Sequence, residues 1–433
     1  MTTPSFPHGD DQHRTGRGDD ATRSFAAGGG DDAARPFTPE PGSDETPTTR
    51  IELGKPRAAD QTAATAAYRS AQHDASHEPS QDEEIAAVAR GLKAVLHETK
   101  KVVIGQDAML ERVLVALLAG GHVLLEGVPG LAKTLTVKTL ATVMGGSFRR
   151  VQFTPDLVPA DLVGTRIWRP DTGTFDTQLG PVFGNLLLAD EINRAPAKVQ
   201  SALLEVMQER QVTLGGATHA LPDPFLVLAT QNPIESEGTY PLPEAQVDRF
   251  LLKVLVQYPH MEDEAAVVAS SIAPAANVRT VLTPEHLIRY RKAVRSVPAD
   301  AQVIRYAVRL TDATRHPERY GLPALRQVIE IGASPRGPIG LVQAAQALAV
   351  LRGRDYVATV DVHDLALDVL RHRLVLTYEA HADGVNPDDI LRQILEAVDP
   401  RATGSVGQAQ PPVTPPSVTG YGATTFGAQA TGR

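Results

Sequence analysis

The chain has 433 residues, with 42 Lys+Arg against 51 Asp+Glu, a formal net charge of −9 and no cysteine. The length leaves room for two or three domains, and the missing thiols exclude disulfides, Fe–S clusters and Cys-ligated zinc. The acidic balance argues against a broad nucleic-acid-binding surface; no apolar run approaches the roughly 18 residues of a membrane span, and no apolar signal-peptide core follows Met1, so a soluble cytoplasmic protein is expected.

Residues 1–82 are rich in Gly, Asp, Pro, Ser, Thr, Arg and Ala. Their large apolar residues (Phe6, Phe25, Phe37, Ile51, Leu53, Tyr68) are too sparse for a core, so a disordered tail is expected. Ile85, Val88, Ala89, Leu92 and Val95 then recur at helical spacing and predict an amphipathic helix over 83–99. A second helix is predicted through Leu110, Val113, Leu114 and Leu117. Short apolar runs at 123–125, 148–153, 186–189, 225–230 and 251–256 alternate with helical patterns. They read as parallel strands buried on both faces in a doubly wound sheet. Two hairpins are predicted, one turning at Pro170–Gly173 and one at Gly215-Gly216.

From about residue 260 the strand signals fade. Helical periodicity covers 261–273, 284–296, 299–313, 324–332, 337–352, 361–372 and 387–397. Asn386-Pro387-Asp388 and Ser334-Pro335-Arg336 read as helix starts. The expected organisation is a tail over 1–82, an αβα domain over 83–260, a helical domain over 261–400, and a second disordered tail over 401–433.

The chemistry concentrates at element ends. Gly127-Val128-Pro129-Gly130-Leu131-Ala132-Lys133-Thr134 follows an apolar strand and opens the helix that continues through Leu135, which is the setting of a P-loop. Backbone N–H groups there can surround phosphate oxygens, Lys133 can reach the β- and γ-phosphates, and the Thr134 hydroxyl can ligate Mg²⁺. Ala132 stands where the strict pattern has glycine. The strand 186–189 ends in Asp190-Glu191, suited to holding Mg²⁺ through water and to polarising an attacking water respectively. The strand 225–230 ends in Gln231-Asn232, and Asn232 could orient that water. Arg194, Arg249 in Asp248-Arg249-Phe250, and Arg336 could each neutralise charge on a transferring phosphoryl group. Each motif alone has an ordinary structural reading: solvated acids, an amide-rich turn, a surface arginine. The P-loop, the two strand ends, Asp-Arg-Phe and Ser-Pro-Arg read together as facing one edge of the sheet.

With these motifs in this order the chain resembles the AAA+ ATPases, and the MoxR family closely. The loop 127–134 is similar to that family's P-loop, alanine included. Leu187–Pro196 resembles its Walker B segment, Ala229–Glu235 its sensor 1, Gly238–Phe250 its arginine-finger region, and Ala333–Gly337 its sensor 2. The resemblance implies an αβα nucleotide-binding domain with two hairpin inserts, 166–179 and 211–221, followed by an all-helical lid. It implies ATP and Mg²⁺ as cofactors, with Gly105 and Gln106 near the adenine. It further implies a ring, usually a hexamer, in which Arg249 acts on a neighbour's nucleotide, and chaperone-like remodelling of partner proteins, often ones with a von Willebrand factor A domain. A nucleotide-gated scaffold with slow hydrolysis and a magnesium-chelatase-like motor subunit are the alternatives. A DNA motor is disfavoured by the acidity and by the lack of a basic, aromatic-rich stretch.

Overall fold

The computed structural model describes residues 81–233, 238–274 and 276–401. The tails expected over 1–82 and 401–433 lie outside the described residues, apart from 81, 82 and 401.

Helices α1 (Gln81–Thr99) and α2 (Asp107–Ala119) lead into strand β1 (Val123–Glu126), helix α3 (Lys133–Val143) and strand β2 (Phe148–Gln152). A hairpin, β3 (Gly164–Arg169) and β4 (Thr174–Leu179), precedes β5 (Leu186–Asp190) and α4 (Ala197–Glu209). A second hairpin, β6 (Gln211–Leu214) and β7 (Ala217–Ala220), precedes β8 (Leu226–Gln231) and β9 (Leu252–Leu255). Strands β2, β5, β8, β1 and β9, in that spatial order, form a parallel five-stranded sheet.

The pleat divides each central strand between two cores. Leu186, Leu188, Leu226 and Leu228 join Val123 and Leu125 against α1–α3, while Leu187, Ala189, Val227 and Ala229 join Leu124 against α4. The predicted burial on both faces holds for β5 and β8. It fails for β2, an edge strand in which only Val151 is buried. The other positions of β2 are thereby free to carry charge and amide groups.

The second half contains α5 (Met261–Ile272), α6 (Pro284–Ser296), α7 (Ala301–Arg315), α8 (Arg336–Leu351), α9 (Thr359–Leu370) and α10 (Pro387–Ala397). The predicted start at Asn386 holds: its side chain accepts the Asp388 N–H at 2.9 Å. The helix expected over 324–332 does not form. Residues 323–327 make a 3₁₀ turn, and Ile329–Ile331 pairs antiparallel with Val375–Leu376, so the helical part also carries a two-stranded ladder. That partner lies more than 40 residues away, beyond the reach of a local periodicity signal.

Candidate functional site: a P-loop cleft and a separate arginine edge

The loop after β1 is shaped by backbone crowding. A Cβ at Gly127 would stand 2.7 Å from the Val256 carbonyl oxygen, so only glycine fits there. Ala132 has φ 55° and ψ 18°, a left-handed conformation that costs a non-glycine residue about 1–2 kcal/mol. Helix α3 begins at the next residue without a side-chain cap, leaving its first-turn N–H groups to the loop. The Lys133 ammonium donates to the Gly127 carbonyl at 2.6 Å, folding the side chain back over the loop. Burial lowers the Lys133 pKa, and the carboxylates of Asp190, Glu191 and Glu126 oppose that shift.

Three more strands bring groups to this end of the sheet, because all are parallel to β1. The register sets Gln152 beside Asp190, and Glu126 beside Gln231. Asp190 Oδ1 accepts the buried Thr230 hydroxyl at 2.6 Å, and its Oδ2 accepts Arg150 Nη2 at 2.7 Å. The Glu191 N–H donates to Thr230 Oγ1 at 2.8 Å, and its carboxylate accepts Gln152 Nε2 at 2.6 Å. Arg194 Nε lies 3.2 Å from the same carboxylate. Glu191 itself has φ 58°, a second left-handed non-glycine residue at this edge. Such strain persists only where surrounding contacts enforce it, and it concentrates at functional sites.

Lys133, Arg150, Gln152, Asp190, Glu191 and Thr230 line a cleft of about 430 Å³ with Thr134, Leu135 and Asn232, a size ordinary for a small-molecule site. A second cavity, about 490 Å³, is lined by Gly105, Gln106 and Val256, and Val256 also abuts Gly127. Among the described residues no cluster of three or more His, Cys, Asp or Glu could hold a metal alone. Thr134 and Asp190 are hard oxygen donors on one cleft. They suit Mg²⁺, which keeps several waters and is completed by substrate phosphates.

Arg249 and Arg336 are elsewhere, which corrects the expectation of a single edge. Arg249 precedes β9, and the Leu251 N–H donates to the His122 carbonyl at 2.9 Å, at the start of β1. A parallel strand has its first residue at the opposite end from its last; four residues at about 3.3 Å each separate the two edges by roughly 13 Å. Arg249 and Arg336 share a cavity of about 220 Å³ there with Asp248, His122 and Arg373. The P-loop, Asp190, Glu191 and Asn232 share the other edge.

Sequence reasoning missed Arg150, Gln152, Thr230 and Asp248. The alternation of Arg150 and Gln152 about Val151 was visible, but not that β2 lies beside β5.

A parallel sheet with a P-loop after its first strand, carboxylates after β5 and a helical lid define the AAA class. Residues 122–252 match the ATPase family associated with various cellular activities (AAA), and residues 324–394 match the AAA lid domain. The chain is 51% identical over 338 residues to Chaperone MoxR1 of Mycobacterium tuberculosis, covering 77% of this chain and 90% of that protein. It is 31% identical over 325 residues to MoxR of Methylorubrum extorquens, covering 70% of this chain and 92% of the relative. A crystal structure from Cytophaga hutchinsonii, of a protein assigned provisionally as an ATPase, superposes with a TM-score of 0.70 at 48% identity, over 73% of this chain and 97% of its own. The chain belongs to the MoxR family of AAA ATPases.

Proposed function

We propose that the protein binds Mg·ATP in the 127–135 cleft and hydrolyses it within a ring of identical subunits, using turnover to remodel partner proteins. The observation that carries this reading is the separation of the two halves of one catalytic set. Lys133, Thr134, Asp190, Glu191 and Asn232 converge on one cleft, while Arg249 and Arg336 stand on the opposite edge of the same chain. Lys133 and Thr134 hold the triphosphate and its metal, Asp190 holds the metal through water, Glu191 accepts a proton from the attacking water, and Asn232 orients that water. Bound there, Mg²⁺ would supply positive charge that offsets the negative charge of the phosphates. Gly105 and Gln106, beside the loop, contact the adenine. A head-to-tail interface puts the arginine edge of one subunit against the cleft of the next, and repeating it closes a ring, here a hexamer.

The remodelling role rests on the mycobacterial relative, which is named a chaperone. It also draws on the first hairpin, which exposes Ile167, Trp168, Phe175 and Leu179 and meets the second where Arg166 packs on Gly215. A protein with a von Willebrand factor A domain is the proposed partner. Glu191→Gln in the full chain tests hydrolysis: turnover drops by about 10²–10³-fold while Mg·ATP still binds. Retained turnover would remove Glu191 from the mechanism. Full partner-dependent function without turnover would favour the nucleotide-gated scaffold.

A further inference from the structure

We propose that Asp248 is a positioning residue for Arg336, holding that arginine on the same edge as Arg249 for presentation to a neighbouring subunit; this rests on the reading that these arginines act across an interface. Asp248 follows the short helix Glu244–Val247 and immediately precedes Arg249. Its carboxylate meets three side chains of the lid. Oδ2 accepts the Ser334 hydroxyl at 2.9 Å and Arg336 Nη1 at 3.2 Å, and Oδ1 lies 2.9 Å from Arg373 Nε. Ser334 Oγ in turn accepts the Arg336 N–H at 3.1 Å, so Asp248 is bonded to the first residue of α8 both directly and through Ser334.

The lid also grips the backbone around Arg249. Arg373 Nη2 donates to the Phe250 carbonyl at 2.8 Å, and His372 Nε2 bonds the same oxygen at 3.0 Å. The two cations opposite Asp248 differ in freedom. The Arg373 side chain is 3% exposed and therefore fixed, whereas that of Arg336 is 53% exposed and can turn outward. An ion pair so exposed adds little stability. What the contact does supply is a defined origin for a long, flexible side chain on the edge that also carries Arg249. Catalytic charge stabilisation depends on such placement, since donors must be aimed before the reaction begins.

A plain lid-to-core salt bridge would show the same distances, so the test is a double-mutant cycle on ATP turnover in the full-length protein. Arg336→Ala lowers kcat by about 100-fold. Asp248→Asn lowers kcat by about 10-fold and moves the KM for ATP by less than about twofold, the pattern of an interaction made only in the transition state. The double variant falls no more than about twofold below Arg336→Ala, because Asp248 acts through that arginine. Wild-type turnover in Arg336→Ala would overturn the reading of Arg336 itself. With Arg336→Ala impaired, wild-type turnover in Asp248→Asn, or losses that multiply in the double variant, would overturn the role of Asp248 alone. Asp248→Asn leaves Arg373 buried without its counter-charge; if it fails to fold, Ser334→Ala replaces it in the cycle. That variant lowers kcat by about threefold alone and has no further effect on Arg336→Ala; wild-type turnover in it, or a full threefold loss in both backgrounds, would overturn the proposal.

Discussion

Ala132 is the residue at which the sequence and the backbone meet most directly. Its position demands a left-handed φ, and an alanine there accepts strain that a glycine would avoid. Ala132→Gly is therefore expected to keep Mg·ATP binding within about threefold and to change stability by less than about 1 kcal/mol, since relieved strain offsets the added freedom of the unfolded chain. Ala132→Val adds β-branching at positive φ and is expected to destabilise by about 1–2 kcal/mol and weaken Mg·ATP binding. Melting curves with and without Mg·ATP check both; a valine variant indistinguishable from wild type would contradict the strain. The loop, Asp190-Glu191 and Asn232 were legible because each is a local pattern at a strand end. Thr230 and Arg150 were not, because their roles depend on which strand lies alongside.

His122 makes a second prediction at this scale. It is buried, its Nδ1 accepts the Val227 N–H at 3.0 Å, and its Nε2 faces the Met207 carbonyl at 3.2 Å. Burial pushes its pKa down to about 4. The unfolded chain takes up this proton near pH 6.5, so between about pH 6.5 and 4 the unfolded state binds more protons, and stability falls as pH falls. The shift corresponds to a loss on the order of 3 kcal/mol across that window. His372, also pushed down by burial, acts in the same direction. Urea unfolding at pH 7 and pH 4.5 should show a smaller acid loss in His122→Gln than in wild type; equal losses would exclude this histidine as a source.

At the scale of elements, turn chemistry and strand ends carried far. Gly215 and Gly216 both take positive φ, as a two-residue hairpin turn requires, and the 164–179 hairpin pairs in full register. The segment 324–332 shows the opposite case. Its apolar spacing fits a helix, but Ile329 and Ile331 gain more from pairing with Val375–Leu376 than a short helix after Pro323 could offer. The first hairpin also presents an apolar surface. Trp168 and Phe175 sit opposite one another with ring centroids 5.0 Å apart, at 49% and 55% exposure. Aromatic pairs of this kind contribute about 0.5–1.5 kcal/mol, too little to explain so much exposed area by stability. Replacing both with serine is expected to lower stability by no more than about 1.5 kcal/mol, to leave basal ATP turnover within about twofold, and to remove partner remodelling. Full remodelling by that variant would sink the proposed role of the hairpin.

At the scale of the whole molecule, the parallel sheet decides which groups one chain brings to a single edge. The five motifs read from the sequence as facing one edge, and three do. Asp248-Arg249 stands at the other, because a motif placed before a strand and one placed after it are a strand's length apart, and Ser334-Pro335-Arg336 joins it there from the start of α8 through its bonds to Asp248. Sequence order alone does not carry that distinction; strand direction does. A chain with this geometry cannot aim Arg249 at its own Lys133, and a head-to-tail ring can. The most direct measurement is ATP turnover in mixtures of two full-length variants, Lys133→Ala and Arg249→Ala, each nearly inactive alone. In a ring assembled from a 1:1 mixture, about one quarter of the interfaces pair an intact cleft with an intact neighbouring arginine, so turnover should return to about one quarter of wild type. A mixture as inactive as its two parents would contradict a shared site.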